Sequence, residues 1–373
     1  MNVLFINEVC GTGSTGKITC KLAEQYQHNG HTVRVAFGRH SYVPEKYQHF
    51  AVRIGRSFDV YVHALMSRLT DRHGFYSRRA TRKFLQWAEE FNPSLLWLHN
   101  LHGYFINVEQ LFTWIKSRPS MRVLWTLHDC WSFTGHCAYF TMAGCEKWRT
   151  MCEHCPQKRA YPASFVDGSR RNYLAKRELF TGVKDLTLIT PSKWLAELTR
   201  NSFLKDYPVE VRYNTIDTTI FRPTPSDFRK RFGLEGKFIV LGVASIWEKR
   251  KGLDDFVRLS EILDPQRFAI VLVGVTQKQI AALPKNITAI TRTNNQRELA
   301  EIYTASDVLF TPSYEENYPT VNLEAEACGT PVITYDAGGS PETLHDERSV
   351  VVRCGDVEAV KRILETKNGR PCA

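Results

Sequence analysis

Short, nearly unbroken apolar runs recur along the chain, separated by mixed stretches of helical length. VLFIN (3–7) leads into a helical pattern from about Gly16 to His28, and HTVRVAFG (31–38) follows as the next strand. LLWLHN (95–100), VLWTLHD (123–129) and LTLITPS (186–192) continue the series. A second series holds FIVLGVAS (238–245), FAIVLVG (268–274), DVLFTPS (307–313) and PVITYDAGG (331–339), with VEAVKRILE (357–365) as a closing helix. Apolar strands that alternate with helices predict parallel sheets covered on both faces. Two series predict two doubly wound α/β domains. The Pro- and Thr-rich segment YNTIDTTIFRPTPSDF (213–228) reads as a connector. The domains are placed at residues 1–205, with a cysteine-rich insertion at 130–160, and 206–373.

In open α/β sheets, ligands bind beyond the carboxyl ends of the strands. The residues there are Asn7-Glu8, His99-Asn100, His128-Asp129, Pro191-Ser192, Ala244-Ser245, Gly274, Pro312-Ser313 and Gly338-Gly339. The densest chemistry lies in PSYEENYPTVNLEAEACGTPVI (312–333), where Glu316 and Glu324 flank a loop that turns into a helix near Thr320. A helix start offers free N–H groups and the positive end of a dipole, which suits a diphosphate. A carboxylate one turn inside can accept from a ribose diol. As a bare pair, the same glutamates also read as solvated helix residues. CGTGSTGKI (10–18) fits most of a phosphate-binding P-loop, but Ile18 stands where that motif needs a magnesium-binding hydroxyl.

Composition adds less. The length of 373 residues suits two domains. A formal charge of +10 favours anionic partners: phosphate-bearing ligands, acidic membrane surfaces or nucleic acid. MNVLFINEVC lacks the basic flank of a secretory leader, and no apolar run approaches bilayer length, so the expectation is a cytoplasmic protein. Cys137, Cys145, Cys152 and Cys155, with Cys130, His136 and His154 nearby, suit a tetrahedral zinc, a set of buried thiols, or an iron–sulfur cluster or redox pair. Cys10, Cys20, Cys328, Cys354 and Cys372 are scattered. From Arg53 to Trp87 the chain carries eight Lys/Arg against two Asp, interleaved with Tyr61, Leu65, Met66, Leu69, Phe75, Tyr76, Phe84 and Trp87. Such a stretch reads as an anionic-lipid-binding face or as an ordinary solvated one.

The segment from Pro312 to Ile333 resembles the Glu-x7-Glu motif of retaining GT-B glycosyltransferases, family 4 in particular. Pro312, Ser313, Glu316, Glu324, Ala325, Ala327, Gly329, Pro331, Val332 and Ile333 all fit it. AGGSPE (337–342), YNTIDTTIF (213–221), NGHTVRV (29–35) and KRKGLDDF (249–256) resemble further motifs of that family, in family order. WTLHDCWSFTGHCAYFTMAGCEKWRTMCEHCP (125–156) is similar to a stretch of the colanic acid biosynthesis glycosyltransferases. Ser245 stands in the place of the usual arginine, so that either Lys249 or Arg250 substitutes or phosphate binding is weaker than usual. The helix with which most members cross back to the first domain has no counterpart after VEAVKRILE, so a shortened chain is expected.

The resemblance implies a GT-B architecture of two Rossmann-like domains facing a cleft. It implies retaining transfer of a sugar from a nucleoside-diphosphate sugar to a lipid-linked glycan acceptor, in bacterial exopolysaccharide or O-antigen synthesis. His128, Lys251 and Glu316 take the catalytic places: His128 reaches the sugar, Lys251 the phosphates and Glu316 the sugar hydroxyls. Gly13, Ser245, Arg250, Lys251, Tyr318, Thr320, Val321, Asn322 and Glu324 take the donor-binding places. No Asp-x-Asp pair occurs, so no catalytic metal or other catalytic cofactor is implied; a structural zinc on Cys137, Cys145, Cys152 and Cys155 is the one inorganic expectation. The expected partners are the nucleotide sugar, the acceptor and the anionic cytoplasmic face of the inner membrane, not nucleic acid. The competing readings are a catalytically degenerate GT-B protein, a zinc-stabilised nucleic-acid-binding protein and a P-loop NTPase.

Overall fold

The computed structural model describes residues 1–368, so Cys372 lies outside the described residues. The chain divides into two compact units, Met1–Tyr213 and a second from Asn214 on. Strands β1 (Asn2–Ile6), β2 (Thr32–Phe37), β3 (Ala51–Arg53), β4 (Leu95–Leu98), β5 (Arg122–Thr126), β6 (Leu186–Thr190) and β7 (Val209–Val211) build the first sheet in the order β3-β2-β1-β4-β5-β6-β7. Helices α1 (Gly13–His28), α2 (Ser57–Thr70), α3 (Arg78–Phe91), α4 (Val108–Lys116), α5 (Ser169–Phe180) and α6 (Lys193–Arg200) connect them. Residues 206–213, placed with the second domain on sequence, belong to the first unit, because Val209 to Val211 pair with Leu188 to Thr190.

The second sheet has the order β10-β9-β8-β11-β12-β13. Its strands are β8 (Phe238–Val243), β9 (Phe268–Val273), β10 (Ile287–Ile290), β11 (Val308–Thr311), β12 (Val332–Tyr335) and β13 (Val350–Val352). Its helices are α7 (Phe228–Arg231), α8 (Leu253–Ile262), α9 (Gln277–Ile280), α10 (Gln296–Ala305), α11 (Thr320–Ala327) and α12 (Val357–Asn368).

Alternation along each central strand sends side chains to two separate cores. In β1, Leu4 and Ile6 enter one apolar cluster while Val3 and Phe5 enter the other. In β9, Phe268, Ile270 and Leu272 face one side, and Ala269, Val271 and Val273 the other. The insertion after β5 has little regular structure and closes instead over stacked and tilted aromatic pairs among Phe133, Phe140 and Trp148, all buried. In the connector, Phe221 anchors in the second unit's core.

The expected basic face splits in two. Phe75 and Phe84 are core residues, whereas Tyr61, Leu65 and Leu69 are exposed on α2 together with Phe58 and Val62.

Gly274, directly after β9, shows why the strand ends are rich in glycine. Its φ is +92°, and a Cβ there would lie 1.6 Å from the Ala244 carbonyl oxygen. Gly233 has a φ of +63° but open space around it. Gly274→Ala should therefore cost on the order of 3 kcal/mol, against about 1 kcal/mol for Gly233→Ala. Hydrogen exchange of the β8 and β9 amides measures both; equal costs would contradict the steric account.

Candidate active site

In the second sheet the strand order reverses between β8 and β11, which makes the loops after these strands and after β12 neighbours at one edge. Such a topological switch point is where open α/β sheets bind ligands. The loop after β8 carries exposed Ser245 and half-buried Arg250 and Lys251. Gly252, with φ +72°, ends this segment in a left-handed turn, and a Cβ would strike the Pro312 carbonyl oxygen at 2.2 Å. The Arg250 carbonyl accepts from Tyr314 N–H at 2.8 Å, and Arg250 Nη1 donates to the Glu315 carbonyl at 3.2 Å. The Lys251 segment and the Glu316 loop are thus tied together by one backbone and one side-chain contact.

Lys251 Nζ forms an ion pair with Glu316 Oε2. Burial alone would push the Glu316 carboxyl up; Lys251 and, after it, Arg250 outweigh burial and hold it below the usual carboxylate range. Gly338 and Gly339 explain the AGGSPE turn: Gly339 N–H donates to the Glu316 carbonyl at 3.1 Å, and a Cβ on Gly338 would lie 1.9 Å from that oxygen. The glycines let the loop after β12 seat the glutamate.

Helix α11 begins at Thr320 behind Pro319, with no side chain capping its first turn. Thr320 and Val321 are half-buried, and Tyr318 is buried. Glu324 accepts from Tyr303 Oη at 3.0 Å, which fixes one carboxylate oxygen. Asn322 departs from its expected donor-binding place. It is fully buried, accepts from Thr311 Oγ1 at 2.7 Å and donates to Thr343 Oγ1 at 2.8 Å. Its N–H donates to the Pro319 carbonyl at 3.3 Å. Asn322 thus ties α11 to β11 and to the turn after β12, because a buried amide cut off from water must find its partners locally.

Sequence reasoning missed the supports of this site. Asp255 on α8 accepts from Tyr314 Oη at 2.8 Å and Tyr335 Oη at 3.1 Å, so one carboxylate fastens two active loops. Only the aspartate's place in LDDFVRL, on the inward face of a helix, signals it.

The first unit gathers its own polar cluster at the equivalent sheet edge. His128, two residues beyond β5, places Nε2 3.0 Å from His99 Nδ1 beyond β4. Burial pushes the His128 imidazole down to about 4, so it is neutral at pH 7. Asp129 Oδ2 lies 2.8 Å from His102 Nε2, and Arg39 Nη1 pairs with Glu8 at 2.9 Å. Arg39 and His102 were not picked out from the sequence.

The glycine loop is occupied by packing. Gly11 N–H donates to the Gly16 carbonyl at 3.3 Å, a Cβ on Gly11 would strike Tyr47 at 2.5 Å, and one on Gly16 would strike Val9 at 2.9 Å. Gly13, at the start of α1, and Lys17 are exposed. Internal use of the Gly11 donor, with Ile18 in place of a hydroxyl residue, runs against the NTPase reading.

Two parallel-sheet α/β units with this switch-point arrangement define the GT-B class of glycosyltransferase fold. Residues 225–366, within the second unit, match the family described as Glycosyl transferases group 1. The chain is 28% identical over 259 residues to the putative colanic acid biosynthesis glycosyl transferase WcaC of Escherichia coli, covering 68% of this chain and 62% of that protein. It therefore spans less than two thirds of that relative. Among solved structures, sucrose-phosphate synthase of Thermosynechococcus elongatus matches with a TM-score of 0.71 and 16% identity, over 98% of this chain and 90% of that one. Anabaena HepE in complex with UDP-glucose matches with a TM-score of 0.65 and 15% identity, over 98% and 89%. These two likenesses establish the fold.

The Lys251–Glu316 pair carries a pH signature. A depressed folded pKa contributes stability above the unfolded value and loses it as pH falls through the folded value. Lys251→Ala should cost about 2–3 kcal/mol at pH 7, since it strands a buried carboxylate. The difference from wild type should shrink as pH falls from the ordinary carboxylate range through the depressed value of the folded protein, where Glu316 takes up its proton. Urea unfolding at a series of pH values checks this; a pH-independent difference would mean that the lysine acts through packing alone.

Proposed function

We propose that this protein is a retaining glycosyltransferase that moves a sugar from a nucleoside-diphosphate sugar to a lipid-linked glycan acceptor during bacterial surface-polysaccharide synthesis. The observation that carries the reading is the Lys251–Glu316 ion pair at the switch point of a group 1 domain, in a chain whose α11 N-terminus has no side-chain cap. A cation and a row of N–H donors suit a departing diphosphate.

In the reaction, the bond between the anomeric carbon and the diphosphate oxygen breaks, and its electron pair stays on the diphosphate. The acceptor hydroxyl attacks the same face and yields its proton to the leaving phosphate. Lys251, Arg250 and the N–H groups of Thr320 and Val321 offset the charge that develops. Glu316 holds sugar hydroxyls once the diphosphate has drawn Lys251 away. Glu324, one oxygen fixed by Tyr303, accepts from the ribose. Ser245 and Tyr318 line the donor, and Gly13 lets a ligand approach the first loop closely. His128, as a neutral imidazole, serves the sugar hydroxyls rather than a phosphate. No step needs a metal. The relationship to WcaC supports the polysaccharide pathway, and the solved HepE complex with UDP-glucose supports UDP-glucose as the first donor to try.

The exposed side chains Phe58, Tyr61, Val62, Leu65 and Leu69 recur at helical spacing on α2, with exposed Arg53, Arg56 and Arg68 around them. An apolar stripe flanked by arginines fits the surface of an anionic bilayer. This supports action at the cytoplasmic face of the inner membrane, where a lipid-linked acceptor is presented. Among the described residues, no helix is long and apolar enough to cross a membrane.

Two measurements test the reading. A saturating matched diphosphate, without added metal, should raise the melting temperature by roughly 5 °C. Lys251→Ala and Glu324→Ala should lose the shift, and Lys251→Ala should lower turnover on the order of 100-fold. No shift with UDP, GDP, ADP or their sugars would favour a catalytically degenerate protein. Separately, the wild type should float with vesicles containing phosphatidylglycerol but not with pure phosphatidylcholine. The double variant Phe58→Glu, Leu65→Glu should remain unbound while keeping its nucleotide shift; equal flotation would remove α2 from the membrane reading.

A further inference from the structure

The insertion after β5 holds a feature that sugar transfer does not use. His136, Cys137, Cys145, Cys152 and Cys155 all line one cavity of about 10 Å³, room for roughly one water-sized sphere rather than an organic ligand. All four cysteines are free thiols, and the side chains of Cys137 and Cys155 are hydrogen-bonded to each other. Three of the four arrive from separate turns of the insertion, and Gly135 permits the closest approach. A Cβ there would lie 2.8 Å from Cys152 Cβ and 2.1 Å from the Ser169 carbonyl oxygen. Cys155 N–H donates to Asp167 Oδ2 at 2.8 Å, which fixes the end of the Cys-x2-Cys turn.

Two buried basic groups face this cluster. His136 lies beneath the surface with Nδ1 2.5 Å from Asp71 Oδ1, while its Nε2 is buried without a hydrogen-bond partner. Asp71 is itself held in place, because its Oδ2 accepts from Gly168 N–H at 2.7 Å. The carboxylate thus fixes the His136 ring at the wall of the cavity that the four thiols line. Lys176 is 1% exposed and donates to the carbonyls of Trp131 and Thr134 at 2.7 and 3.0 Å. Among the described residues, no carboxylate stands within ion-pair distance of it, and Cys152 and Cys137 are its foremost electrostatic neighbours. A buried ammonium without a counter-charge is costly.

We propose that this insertion binds one structural zinc ion through the thiolates of Cys137, Cys145, Cys152 and Cys155, with the buried Lys176 ammonium supplying compensating positive charge. A divalent cation on four thiolates carries a net charge of about −2, part of which one buried ammonium offsets. On binding, four S–H bonds ionise and their protons leave to solvent. Among the described residues, no three His, Cys, Asp or Glu side chains already stand as a group that could hold a metal ion, so binding requires the turns that carry the cysteines to draw together. The ligands close on the ion only once they are deprotonated. Because the zinc joins the turns of a segment with little regular structure, it orders the insertion rather than taking part in transfer.

The experiment is the metal content of wild-type protein, purified without chelator and without a metal-affinity step. About one zinc per chain is expected, released by a mercurial together with the four thiols. Cobalt exchanged into the site should show the ligand-field bands of tetrahedral four-sulfur coordination. Cys354→Ser, remote in the second unit, should keep the zinc, and the double variant Cys152→Ser, Cys155→Ser should lose it. His136→Gln should retain the zinc with faster loss to a chelator. A zinc-free, folded wild type, or a Cys137–Cys155 disulfide seen by mass, would overturn the proposal. So would a His136→Gln protein without metal whose wild-type cobalt spectrum shows only three sulfurs. The wild-type reading does not depend on any variant folding, and nucleotide binding can succeed or fail independently of it.

Discussion

Every strand pair in both sheets is parallel, and this one constraint organises the molecule. Parallel pairing forces each connection to cross a face of the sheet, so both faces are covered and the central strands become apolar throughout. It also delivers all the carboxyl ends of a sheet to one edge. Polar side chains have no place inside and collect there. The Lys251–Glu316 pair, the Asn322 network and the His99–His128 contact all sit at such edges. The chemistry is local because the hydrogen-bond ladder leaves it nowhere else to go.

The same constraint explains what could be read in advance. The central strands were legible because burial on both faces demands unbroken apolar runs, as in Phe268 to Val273. The strands that escaped notice, β3, β7, β10 and β13, are the edges of the two sheets. They are short and half-exposed, as in Val209 to Val211, so their sequence carries no continuous apolar signal. That is why the chain was divided before β7 rather than after it.

Site residues divided along a similar line. Glu316, Lys251 and the Gly338-Gly339 turn lie in contiguous motifs whose spacing is set by one loop each. Asp255, Tyr303 and His102 act through partners brought near by the fold, such as Tyr335 for Asp255, 80 residues away in sequence. Such pairings leave no local pattern. Asn322 shows the reverse hazard: a polar residue inside a motif can be spent on the fold. Phe75 and Phe84 show it for apolar residues, since composition could not separate the buried members of a basic stretch from the exposed ones.

Asp255 has one more implication. Its carboxylate receives hydroxyls from the loop after β11 and from the end of β12. Both hydroxyls converge on the same carboxylate oxygen, so a movement of α8 disturbs the two segments together. The backbone amides around Tyr314 and Tyr335 would then exchange with solvent at one shared rate. Breathing at this edge becomes a concerted event governed from α8, not a set of independent loop motions.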